Sequence, residues 1–85
     1  MKEVHTHTFV DTYDGLVGFG ADRPTDEATV QVYLQKFSDD AFMKALLPRL
    51  EDGELEEVFD LINRLLVRHL KESEYHRIFL KDGTH

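Results

Sequence analysis

Between Glu54 and Leu70 the chain reads ELEEVFDLINRLLVRHL, and its apolar positions recur at helical spacing. At about 100° per residue, Leu55, Val58, Phe59, Leu61, Ile62, Leu65, Leu66 and Leu70 fall within roughly half of a helix circumference. Glu56, Glu57, Asp60, Asn63, Arg64 and Arg68 take the other half, and Val67 is the one apolar residue among them. Asp60 and Arg64 form a favourable i,i+4 pair. Acidic residues at the start and Arg68 and Lys71 at the end both suit the helix dipole. Asp52 or Gly53 is the expected cap.

Two further helices are predicted upstream. Thr25-Asp26-Glu27 reads as a capped start, and Val30, Tyr33, Leu34 and Phe37 follow at i, i+3, i+4 and i+7. Val30, Val32 and Leu34 also have strand spacing, but the start signal favours the helix. Ser38 is the expected cap of the next helix, whose stripe is Phe42, Met43, Leu46, Leu47 and Leu50. Pro48 would clash with the Lys44 carbonyl, so this helix should end or kink near Leu47. Beyond Leu70 the apolar phase jumps to Tyr75, Ile78 and Phe79, well over 100° away. One straight helix cannot bury both stripes, so a break is expected near residues 71–73, with Ser73 capping a last helix to about Lys81.

The first 20 residues follow a different period. EVHTHTFV alternates, with Val4, Thr6 and Thr8 on one side and His5, His7 and Phe9 on the other. Asp14-Gly15 is a turn signal, and Leu16, Val17 and Phe19 could form a second strand. The expected architecture is therefore mainly α, a small bundle of three to four helices over residues 25–81. A β-hairpin or extended arm over residues 1–20 precedes it, all within a single domain of 85 residues.

Composition narrows the function classes. The net charge is −7 and is spread along the chain, so nucleic-acid backbones and anionic membranes should be repelled. Cysteine is absent, which removes disulfides, thiolate nucleophiles and cysteine-ligated metal sites. No apolar run approaches the ~20 residues of a membrane span, and MKEVHTHTFV lacks a signal-peptide core, so a cytoplasmic location is expected.

Little in the chain suggests catalysis. The two serines, Ser38 and Ser73, are both better read as helix caps, and no Gly-x-Ser-x-Gly occurs. Gly15, Gly18 and Gly20 have the wrong spacing for a dinucleotide fingerprint and lack the Gly-Lys-Ser/Thr of a P-loop. Aligning Gly15 with the glycine of a calcium loop places Val10 and Ala21 at ligand positions, which excludes that site. His5 and His7 flank Thr6, and on a strand both imidazoles would share one side, as half a metal site. His69, His76 or a carboxylate would have to complete it. The plainer reading is exposed polar residues on a strand and a packed imidazole at His69. The acidic run Glu51, Asp52, Glu54, Glu56 and Glu57 reads as helix-start capping and a solvated face, with a basic docking partner as the sharper reading.

The stretch VYLQKFSDDAFMKALLPRL, the Glu54–Leu70 helix and EYHRIFLKD together resemble a small bacterial family of cytoplasmic proteins with no assigned activity. That resemblance covers nearly the whole chain and implies a cytoplasmic location, but it offers no catalytic residue to carry over. The expectation is a small acidic protein-interaction or regulatory module, not an enzyme. It should need no cofactor and pair as a homodimer, since pairing would bury the surplus apolar face, with a further protein partner as an additional expectation. The alternative is a metal-binding protein built on His5 and His7.

Overall fold

Phe9 and Tyr13 lie four residues apart, and their rings stack with centroids 5.0 Å apart. They close the short helix α1 (Phe9–Thr12), where the Thr12 hydroxyl also donates to the Thr8 carbonyl. The computed structural model describes residues 7–82, in two compact units, 7–49 and 50–82.

The expected hairpin is not what residues 7–20 form. Phe9–Thr12 is helical, and no strand occurs among the described residues. His5 and the other residues up to 6 lie outside the described residues. Side chains, not a partner strand, satisfy the backbone after α1. The Gly18 N–H donates to Thr29 Oγ1 at 2.9 Å, and the Gly20 N–H to Asp26 Oδ1 at 2.7 Å. The Tyr13 hydroxyl donates to the Leu16 carbonyl. A segment tied down in this way has little left to offer a ladder.

Helix α2 (Arg23–Phe37) begins two residues before the expected start. Asp22 is its cap and accepts from the Thr25 N–H at 2.8 Å, with Pro24 in the first turn, where a missing N–H costs nothing. The backbone hydrogen bond from Thr25, then that from its side chain, holds the Asp22 carboxyl below its ordinary value. The face that α2 buries is also different from the one its pattern suggests. Thr29 and Val32 are buried, whereas Val30, Tyr33, Leu34 and Phe37 are all exposed. Polar hydrogen bonds decide this, because Thr29 holds Gly18 and Gln35 Oε1 accepts from the Val10 N–H at 2.9 Å. Both side chains lie on the Val32 side and turn it toward α1 and the loop.

Asp39, not Ser38, caps α3 (Asp40–Leu46), accepting from the N–H groups of Ala41 and Phe42. Ser38 instead donates to the Gln35 carbonyl at the end of α2. Phe37 and Phe42 meet across this corner at 5.3 Å. The helix ends as Pro48 requires, and Leu47–Arg49 tightens into a 3₁₀ turn.

In the second unit, α4 (Asp52–His69) is the long amphipathic helix expected there. Its cap is Glu51, one residue earlier than expected, and the Glu54 carboxylate reaches back to the Glu51 N–H at 2.9 Å. The helix stops at His69, and Leu70 and Lys71 are extended. The expected break is thus present, but Lys71 takes the cap position and Ser73 does not. After α5 (Glu72–Glu74) the chain widens into a π-helical turn over Tyr75–Leu80, with Tyr75 and Phe79 stacked at 5.6 Å. Lys81 ends it at φ 53°, a left-handed terminus. The chain is thus mainly helical.

Candidate functional site

The apolar face of α4 carries six large side chains that its own unit does not cover. Leu55, Val58, Phe59, Leu61, Ile62 and Leu65 are 39 to 66% exposed, although side chains at helical spacing like this normally face a core. One edge of the face is covered within its own unit. Leu66 and Leu70 are half-buried and share a shallow recess with Tyr75. The Val58, Leu61, Ile62 and Leu65 side is not covered within that unit. Val67 is 82% exposed on the polar side, where its position in the pattern put it. Among the described residues, Val32 of the first unit is the one buried apolar residue. Phe19, Val30 and Leu34 line a second shallow apolar recess there.

The electrostatics of α4 are polarised along its axis. From residue 51 to 60 every charged side chain is acidic: Glu51, Asp52, Glu54, Glu56, Glu57 and Asp60. From residue 61 to 71 every Lys and Arg, namely Arg64, Arg68 and Lys71, follows without an intervening acid. The helix dipole rewards this order, but six carboxylates exceed what one first turn can use.

The described histidines are distributed between the units. His7 belongs to the first, where its Nε2 lies 2.8 Å from Ser38 Oγ, beside a recess that Asp11, Asp39 and Asp40 also line. His69 and His76 belong to the second. His69 is exposed in the last turn of α4 and not packed as expected. Among the described residues, no three His, Cys, Asp or Glu side chains gather closely enough to hold a metal ion.

A site that the sequence did not suggest lies at the end of the π-helical turn. His76 Nδ1 sits 2.6 Å from Asp82 Oδ2, and its Nε2 sits 3.8 Å from Glu72 Oε2. The Asp82 hydrogen bond, opposed by partial desolvation and aided by the charges of Asp82 and Glu72, raises the His76 pKa above its ordinary value. The i,i+4 spacing of Glu72 and His76 was a usable signal. The closure onto Asp82 was not, because it depends on the wide turn and on Lys81 in the left-handed region.

No protein-family model, curated protein or solved structure matches the chain. No helix among the described residues is long and apolar enough to cross a membrane.

Proposed function

We propose that this protein is a non-catalytic protein-interaction or regulatory module of the cytoplasm that works as a homodimer, with the apolar face of α4 as its docking surface. The observation that carries this reading is the exposure of that face. Six large apolar side chains in helical register are uncovered within their own unit, and Val32 is the one buried apolar side chain among the described residues. A chain of this length has a thin stability margin, and a second subunit removes apolar surface that its own core does not cover. A small helical bundle is then completed by association instead of within one chain. Two serines and no cysteine leave the chain poor in nucleophiles.

Native mass spectrometry tests the reading. The untagged protein is expected at twice its chain mass, and Ile62→Asp is expected to return it to a single chain or unfold it. A dimer unchanged by Ile62→Asp and by Leu66→Asp removes α4 from the interface.

A further inference from the structure

We propose that the occupant of the α4 face is the α4 of a second copy of this chain, packed antiparallel with Leu61 close to the two-fold axis. This rests on the homodimer reading above and adds the orientation and register.

The charge order on α4 decides the orientation. In a parallel pair, the acidic half of one helix, residues 51–60, would lie along the same acidic half of the other. The six carboxylates of each copy would gather at one end of the pair, and Glu54, which flanks the apolar seam, would have no cation beside it. Reversing one helix brings Arg68 of the second copy, the cation that flanks the seam, beside Glu54, and sets the acidic half along the half that carries Arg64 and Arg68. An isologous two-fold interface repeats each such pair twice.

The apolar pattern fixes the register independently. Leu55 and Ile62 take the first core position of a heptad, Val58 and Leu65 the fourth, and Glu54, Leu61 and Arg68 the position flanking the first. Antiparallel heptad packing sets first positions against fourth ones. Leu55 then packs on Leu65 of the second copy and Val58 on Ile62, four apolar layers in all. In that same register Leu61 meets its own copy, and Glu54 faces Arg68 of the second copy. Shape and charge therefore select one alignment without adjustment between them. All four core side chains and Leu61 are exposed, whereas Leu66 and Leu70, on the far edge of the face, are half-buried and share a recess with Tyr75.

The test is charge reversal read by native mass spectrometry and sedimentation, with circular dichroism confirming helix content. Arg68→Glu and Glu54→Arg are each expected to weaken the homodimer by roughly tenfold, since two attractive pairs become repulsive in each dimer. Mixing the two variants restores both pairs, so a heterodimer about as tight as wild type is expected. Arg68→Glu leaves the contact between Glu54 and the Glu51 N–H in place, so its effect does not depend on the helix cap. A parallel dimer would show no rescue on mixing, because Glu54 of one copy and Arg68 of the other then lie two heptads apart. A wild-type dimer that is indifferent to both variants, or tightened by either, overturns the antiparallel pairing while leaving the interaction-module reading intact. A wild-type chain that stays single at every concentration overturns the pairing and the homodimer together.

Discussion

The hydroxyl of Thr29 accepts a hydrogen bond from the Gly18 N–H at 2.9 Å and lies 3.3 Å from the Gly18 carbonyl, to which it donates. A buried helix side chain thereby satisfies both polar groups of one loop residue. Thr29 is only 6% exposed, so water cannot replace the bond cheaply. Thr29→Val keeps the shape and strands the Gly18 groups. It is expected to destabilise the unit over residues 7–49 by about 1–3 kcal/mol, measured by urea unfolding. Thr29→Ser, which keeps the hydroxyl, should lose much less.

This bond also shows where the sequence could and could not be read. The face of α4, the break after Leu70, the helix end before Pro48 and the exposure of Val67 were all legible, because each rests on local periodicity or proline sterics. The buried side of α2 was not. Val30, Tyr33, Leu34 and Phe37 form the more apolar stripe, yet Thr29 and Gln35 turn the helix the other way through bonds to Gly18 and Val10. Those partners lie 11 and 25 residues distant, beyond the reach of any window pattern. The hairpin reading failed for a related reason. Alternation in residues 7–9 competes with the i,i+4 stacking of Phe9 on Tyr13, and the helical turn wins.

Asp39 alone caps α3, serving the N–H groups of Ala41 and Phe42. Asp39→Ala is expected to cost about 0.5–2 kcal/mol in chemical denaturation, because a seven-residue helix has few other bonds to hold its first turn. Asp39→Ser should recover much of the loss, whereas Ser38→Ala should not mimic it.

Two glycines make opposite predictions. Gly53 lies in the first turn of α4 with open space where a Cβ would stand, so Gly53→Ala should stabilise the helix by about 0.5–1 kcal/mol. Gly20 has φ 102°, a region that L side chains rarely adopt, and its N–H is bonded to Asp26. Gly20→Ala is therefore expected to lower stability despite equally open surroundings. Thermal melts of the two variants should move in opposite directions.

His76 gives the C-terminal turn a pH dependence of known sign. Its pKa is raised in the folded state, chiefly by Asp82, above the ordinary value of 6.5. A raised value means that the folded turn binds the proton more tightly than the unfolded chain does. The stabilisation is fully present below pH 6.5 and is lost as pH rises through the raised folded value. Proton titration by NMR should place His76 above 6.5, and Asp82→Asn should bring it down, with Glu72→Gln having a smaller effect.

Val67 offers a control for the α4 interface that sequence hydrophobicity alone would get wrong. It is as apolar as its neighbours Leu66 and Leu65, but at 82% exposure it points away from the open face. An antiparallel pair centred on Leu61 leaves it in water on both copies. Val67→Lys should therefore preserve the dimer and its melting temperature, within roughly 0.5 kcal/mol. Leu65→Lys, two positions earlier, would place a charge opposite Leu55 of the second copy and should dissociate it. Sedimentation of the two variants at matched concentration reads the difference directly. If Val67→Lys dissociates the dimer as readily as Leu65→Lys, the interface lies on the polar side of α4.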